Sequence, residues 1–140
     1  MAFDGKVVVD GNEIDKVRDV RFGVRNAVDD ITTNPSGSTR NNLIIIEREH
    51  DATTNFWAWA VSAKKENRKN GRIEFYDQAK VLMIAEFTNA LVHRYEVFLG
   101  ENPFDRTALQ LRERIHISTE RLALETPNGR VEHNDQWGVR

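Results

Sequence analysis

Asp51-Ala-Thr-Thr-Asn-Phe-Trp-Ala-Trp-Ala-Val61, Gly71-Arg-Ile-Glu-Phe-Tyr-Asp77 and Val81-Leu-Met-Ile-Ala-Glu-Phe-Thr-Asn-Ala-Leu-Val-His-Arg-Tyr95 are three pieces of one continuous stretch. They read as a short helix, a short strand and an unusually long strand. On the helix, Phe56, Trp57, Trp59, Ala60, Val61 and Ala63 spread over an arc of about 200° at 3.6 residues per turn. A helix lying on one sheet needs a stripe of only about 100° or slightly more. Trp57 and Trp59 fall towards opposite flanks of that arc and do not face the same core. The long strand, from Lys80 to about Leu99, is apolar on both faces. Its odd positions hold Val81, Met83, Ala85, Phe87, Leu91, Tyr95, Val97 and Leu99, and its even positions Leu82, Ile84, Ala90, Val92 and Phe98. Fully extended it would span about 65 Å, whereas a compact chain of this length has a radius of gyration of about 14 Å. The strand therefore bends, at Thr88-Asn89, or curls around a barrel. Helix and strand together carry more apolar surface than a small monomer easily covers. The surplus reads as an assembly surface, with Phe56, Trp57, Trp59 and Val61 as the candidate subunit-interface residues.

The flanking segments predict a mainly β domain. Lys6-Val-Val-Val9 is a short strand closed by the hairpin signal Asp10-Gly11-Asn12. Val20, Phe22 and Val24 alternate with Asp19, Arg21, Gly23 and Arg25, the pattern of a strand with one dry and one charged face. From Asp29 to Asn42, Pro, Gly, Ser and Asn are dense enough to predict a long loop, either a disordered tip or an arm reaching a neighbouring subunit. Leu43 to Glu49 is a strand. Asp51, Thr53 or Thr54 caps the helix, whose cationic end Lys64 to Asn70 suits the helix dipole and is stopped by Gly71. After the turn Glu101 to Asp105, Leu109, Leu111, Ile115 and Ile117 share a face opposite Gln110, Arg112, Arg114, His116 and Ser118. The apolar phase then changes from odd to even before Leu122, which places a bulge or turn at Ser118 to Glu120. Leu122 to Leu124 is a last short strand, Thr126 to Gly129 a turn, and Arg130 to Arg140 a polar tail anchored by Trp137.

Composition bounds the function. One domain is expected from 140 residues, and 39% hydrophobic with 30% charged content describes a soluble globular chain. A net charge of −2 supplies no global field for nucleic acid. The absence of cysteine excludes disulfides and cysteine-based metal sites. No secretory signal is visible at Met1 to Lys6, and the longest apolar runs, Leu43 to Ile46 and Val81 to Ala85, are far below the roughly 20 residues of a membrane span. The expected setting is cytoplasmic synthesis, with export only by a dedicated machine.

Candidate chemistry is sparse. Glu47, Glu49, His50 and Asp51 cluster in sequence, but their spacing fits no common ligand set and a solvated strand end accounts for them. His116 and Ser118 share a strand face without a nucleophile elbow or an orienting acid. His93 and His133 have no spaced partners, and no phosphate-cradling loop occurs. The run from Lys64 to Lys69 reads as a solvated helix end rather than a nucleic-acid contact. The residues predict no enzyme, cofactor or metal.

Taken in order, Val28-Asp-Asp, Asn34-Pro-Ser-Gly, Leu43-Ile-Ile-Ile-Glu, Phe56-Trp-Ala-Trp-Ala, Gly71-Arg-Ile-Glu-Phe, Phe87-Thr-Asn-Ala-Leu-Val-His-Arg-Tyr, Ile115-His-Ile-Ser and Glu132-His-Asn-Asp-Gln-Trp form a recognisable series. The chain resembles the Hcp-like inner-tube proteins of type VI secretion systems, most closely the Bacteroidetes-type form. Related tube proteins occur in extracellular contractile injection systems and phage tails. The N-terminal pattern of the proteobacterial branch is missing, which leaves the kind of contractile system open.

The resemblance implies a small β-barrel of two packed sheets with one flanking helix, assembling into hexameric rings that stack into a hollow tube. A contracting sheath would propel the tube and its tip spike, with effectors carried in the lumen or on the spike. The expected partners are further copies of the chain, sheath, baseplate, spike and effector cargo, with no nucleic acid and no membrane insertion. Asp29, Asp30, Asn34, Pro35, Ser36, Gly37 and Arg40 would belong to the arm touching the adjacent ring. Arg21, Arg25, Arg112, Arg114 and His116 are the lumen-facing candidates. Two other classes remain. A monomeric β-barrel binder for a small apolar ligand would explain the alternating strands but not the wide apolar arc of the helix. A small hydrolase or isomerase would need an active-site constellation that the residues do not supply.

Overall fold

The computed structural model describes residues 3–28, 35–52, 55–62, 67–102 and 104–134, with backbone alone for 3, 25–28 and 35–41. Strands β1 (Phe3–Val9), β2 (Asn12–Ile14), β3 (Val17–Val28) and β4 (Pro35–Glu49) precede helix α1 (Asn55–Val61). After it come β5 (Lys69–Asp77), β6 (Lys80–Asn102), β7 (Asp105–Thr126) and β8 (Gly129–Asn134). The strands form one antiparallel ladder in the order β2-β1-β5-β6-β7-β4-β3, with β8 added to β7. The sheet curls into a barrel whose two ends, β3 and β1–β2, meet through side chains rather than backbone pairing. Beside that gap the ring of Phe22 on β3 lies 5.7 Å from the ring of Phe75 on β5, the strand next to β1. The mainly β barrel with one helix is thus built from a single rolled sheet that stays unclosed.

Alternation accounts for the interior. Ile44 and Ile46 of β4, Ile115 and Ile117 of β7, Ile73 of β5 and Phe87 of β6 are fully buried on one face of the curl. Of the 23 residues of β6, those from Ile84 to Asn102 pair with β7, and along that run the strand changes which side faces the core. Ala85 and Phe87 are buried before the change, Ala90 and Val92 after it. Asn89, at φ 56°, sits at the change, opposite Glu120 of β7, where burial shifts from Thr119 to Leu122. The bend expected at Thr88-Asn89 and the irregularity expected at Ser118 to Glu120 are therefore one feature. Both strands switch phase together, so the register of Thr88 with Arg121 and of Ala90 with Thr119 is the same on either side.

Four local expectations are corrected. The helix ends at Val61 rather than near Lys69, and residues 63–66 lie outside the described residues. Gly71 is not a helix stop but a strand residue of β5. A side-chain carbon there would stand 2.2 Å from the Val8 carbonyl oxygen and 2.4 Å from the Phe87 ring, so the close approach of the strands demands glycine. The stretch read as a loop from Asp29 to Asn42 divides. Residues 29–34 lie outside the described residues, while Pro35 to Asn42 extend β4, pairing Val28 with Pro35 and Asn26 with Arg40. The polar tail likewise begins as β8, with Arg130 to Asn134 paired to β7, and Trp137 lies outside the described residues.

Candidate assembly surfaces

The polar side of β3-β4-β7-β6 gathers most of the charged residues singled out above. Arg21 of β3 stands beside Ile45 of β4, which pairs with His116 of β7, which pairs with Arg94 of β6. One residue pair along, Asp19, Glu47, Arg114 and Glu96 form a parallel row across the same strands. Ion pairs knit the surface. Glu47 accepts from Arg112 at 2.7 Å and Arg114 at 3.1 Å, Arg21 reaches Asp19 at 3.0 Å, and Arg94 reaches Glu96 at 3.3 Å. The structure thus brings Arg21, Arg112, Arg114 and His116 to one face; the side chain of Arg25 lies outside the described residues. A hollow of ≈ 290 Å³ among Asp19, Arg21, Ile45, Glu47, Arg114 and His116 lies on this face.

Two histidines sit in that network. His93 is displaced from the ladder by a register shift between Val92 and Arg94, and its ring packs edge-on to His116 at 5.8 Å. Ser118 Oγ meets His93 Nδ1 at 2.8 Å, so the serine expected to face His116 is engaged by the other histidine. Burial pushes both imidazoles below their ordinary pKa. His116 and Arg94 push His93 further down, while for His116 the pull of Arg94 and Arg114 is opposed by Glu96. Both rings are neutral near pH 7.

The opposite, dry side carries the helix. Phe56 and Trp59 turn into the core, Trp59 donating its Nε1–H to the Asn67 carbonyl at 3.0 Å. Both are taken up by the subunit's own core, which leaves Trp57 and Val61 as the exposed members of the set Phe56, Trp57, Trp59 and Val61. Trp57 is 55% exposed, as the opposite-flank argument requires, and Val61 is exposed beside it on the helix end. The Trp57 ring packs edge-on to Tyr95 of β6 at 5.9 Å. Beyond the Phe98–Arg112 pair, where β4 ends, β6 and β7 run on as a two-stranded hairpin. On its drier side Val97 and Leu99 neighbour Leu109 and Leu111, with Leu99 directly opposite Leu111 and Glu101 opposite Leu109. Leu99 is 63% exposed and Leu109 68%, and Phe104 at the hairpin tip is 77% exposed.

Between helix and hairpin lies a cluster that alternation alone does not reveal. Glu113, on the dry face of β7, is 2% exposed. It accepts from Arg48 at 2.9 Å and from the Tyr95 hydroxyl at 2.7 Å, with His50 Nε2 at 3.4 Å. Arg48 also reaches Asp15 at 2.9 Å and Asp51 at 3.3 Å. Burial opposes the Arg48 charge, but the bonds to Glu113 and Asp51 outweigh it and the guanidinium stays firmly protonated. Burial and the Glu113 bond push the Tyr95 hydroxyl far above its ordinary pKa. The sequence cluster Glu47, Glu49, His50, Asp51 is therefore split. Glu47 and Glu49 hold arginines on the polar face, while His50 and Asp51 serve this buried network instead of forming a solvated strand end.

The free edges complete the geometry. Among the described residues β3 is paired only with β4, and β6 beyond Ala90 is paired only with β7. A sheet with one self-neutralised polar face, an apolar flank and two open edges defines a protein that is a structural building unit. The comparisons identify which. Residues 1–138 match the model of the hemolysin coregulated protein Hcp (TssD) family, and the chain belongs to that family. Its role is accordingly structural, that of an inner-tube subunit of a contractile secretion or injection apparatus. The fold is shared with Hcp1 from Flavobacterium johnsoniae, at 22% identity over 92% of this chain and 98% of that one, TM-score 0.66. It is shared with Hcp1 from Salmonella typhimurium, at 18% identity over 97% of both chains, TM-score 0.67. A chain of the extracellular contractile injection system PVC sheath-tube complex is also similar, at 16% identity over 87% of this chain and 88% of that one, TM-score 0.56. No curated protein matches the sequence. The alternative of a monomeric binder has no support; the barrel interior is filled by Phe87 and the buried isoleucines. No helix among the described residues is long and apolar enough to cross a membrane.

Proposed function

We propose that six copies of this chain close into a ring with the polar face of β3-β4-β7-β6 turned inward, and that rings stack into a hollow tube. The observation that carries the reading is the pair of open edges on that four-stranded polar sheet. In the order β3-β4-β7-β6 every neighbour is antiparallel. Setting the free edge of β6 against β3 of the next copy continues the alternation and covers both of those edges, which would otherwise recruit other chains. At a strand spacing of about 4.8 Å, six such sheets give a wall about 37 Å across before strand tilt is added.

The inner wall would then carry Arg21, Arg112 and Arg114, already paired with Asp19 and Glu47, beside the neutral ring of His116. Paired charges hold water and present little unsatisfied field, so folded cargo slides without sticking. The segment that joins β3 to β4 in the sequence and the start of β4, with Asp29, Asp30, Asn34, Pro35, Ser36, Gly37 and Arg40, would supply the arm that touches the adjacent ring. Sheath, baseplate and tip spike are the expected partners, effectors the cargo, and release from the cell follows contraction. No catalytic role is assigned. Negative-stain electron microscopy of the purified chain tests the reading: annular particles with a channel of the stated order support it, and uniformly monomeric protein overturns it.

A further inference from the structure

Two parts of the subunit are left uncovered and are suited to one another. One is the dry strip of the β6–β7 hairpin, Val97, Leu99, Leu109 and Leu111, which the subunit's own core does not reach. The other is the seam where the rolled sheet fails to close. It is followed by a groove of ≈ 540 Å³ between β3 and β1–β2, with Val7, Ile14, Val17, Val20 and Phe75 in its lining and a charged rim of Asp4, Glu13, Asp15, Lys16, Arg18 and Asp19. A second groove of ≈ 380 Å³ continues it past Phe22, Phe75, Leu82 and Met83. Leu82 is itself exposed.

We infer that the hairpin strip of each subunit lies over the seam of the next, so that every barrel is closed by its neighbour. The inference rests on the ring reading and names the surfaces that would make the ring cohere. Strip and seam are different surfaces of the chain, which is what a head-to-tail contact needs and what a two-fold contact does not. They are also placed by the same geometry. The strip lies on the part of β6 that has lost β5 as a partner, beyond Ala90, and one lip of the seam is the free edge of β3. Joining those two edges in the antiparallel sense carries the dry side of the hairpin across the gap towards β1–β2. Chemistry agrees: an exposed run of leucine and valine is matched by a groove floored with Val20, Phe22, Phe75 and Met83. Exposed apolar area of this kind on a soluble chain marks an interaction surface. Trp57, packed on Tyr95 at the root of the strip, extends it onto the helix.

The test is a complementation measured by mass photometry and sedimentation velocity. One variant, Leu99→Glu with Leu109→Glu, spoils the strip; the other, Leu82→Glu, spoils the seam. All three sites are exposed, so both variants should keep the parent's circular dichroism and melt within a few degrees of it. Each alone is expected to lose rings and run as a monomer. Mixed in equal amounts they should form one-to-one heterodimers, because one intact strip and one intact seam remain. Parent rings together with unaffected rings from the strip variant overturn the inference and leave the tube reading standing. A folded mixture that stays monomeric also overturns it. A parent chain that forms no ring removes the tube reading and the inference with it.

Discussion

The guanidinium of Arg48 and the carboxylate of Glu113 meet at 2.9 Å with side chains only 4% and 2% exposed. They join β4 to β7 where the barrel gives way to the free hairpin, and Tyr95 ties β6 to the same carboxylate. Removing one partner of a buried pair leaves an uncompensated charge and costs about 3–5 kcal/mol. Glu113→Ala should fall near the lower end, because Arg48 retains Asp15 and Asp51. Urea unfolding of the monomer measures this. A loss below about 1 kcal/mol, the size of an ordinary hydrogen bond, would mean that the cluster does not organise the hairpin root.

The two helix tryptophans should separate. Trp57→Ala removes exposed surface and is expected to weaken ring formation with little change in melting temperature. Trp59→Ala opens the core and should cost about 3–5 kcal/mol of stability. Mass photometry beside thermal unfolding distinguishes them. Rings from Trp57→Ala as abundant as the parent's would take the helix out of the interface.

Deleting Thr33 to Ser38 is expected to spare rings and impair stacking. Length distributions of tubes in electron micrographs give the readout, and tubes of parental length from the deletion would remove the arm assignment.

Acid should loosen the fold through the polar face. Burial and neighbouring arginines hold His93 and His116 below the ordinary histidine value of 6.5 in the folded state. The unfolded chain therefore binds more protons than the folded one once pH falls below about 6.5. Their neutral forms cost nothing at pH 8, and stability declines as pH drops through that window. Melting temperatures from pH 8 to pH 5 should fall less steeply for the doubly substituted His93→Gln, His116→Gln chain. Equal slopes would show that carboxylates alone carry the acid response.

How far the fold could be read in advance depends on how local each cause was. Both the extent of β6 and its bend at Asn89 were legible, because a strand apolar on two faces and longer than the domain must turn its core side over. The place of the β5–β6 turn was legible as well, between Asp77 and Lys80, but its conformation was not. Gln78 and Ala79 adopt φ of 49° and 69° without glycine or asparagine, a conformation that costs roughly 1–2 kcal/mol per residue and is held by the long ladders on either side. Gly71 misled for a related reason: beside a cationic run it resembles a helix stop, whereas its cause is the Val8 backbone and Phe87 ring against it.

By itself the sequence determined the classes of surface: which strand faces are dry, which are charged, and that the helix and long strand are apolar beyond the needs of one small core. Such facts follow from side-chain period, which is local. Only the tertiary structure decided how those surfaces are shared out. Trp59 is taken by the core while Trp57 is left over, Glu113 is drawn inside to Arg48, and Ser118 is given to His93 rather than His116. Register and curl set these partnerships over separations of 25 to 65 residues, and no short-range pattern encodes them. Where the sheet stays open, at β3 and at β6 beyond Ala90, is likewise a property of the whole ladder. Those open edges are what make a ring a physical completion of the subunit.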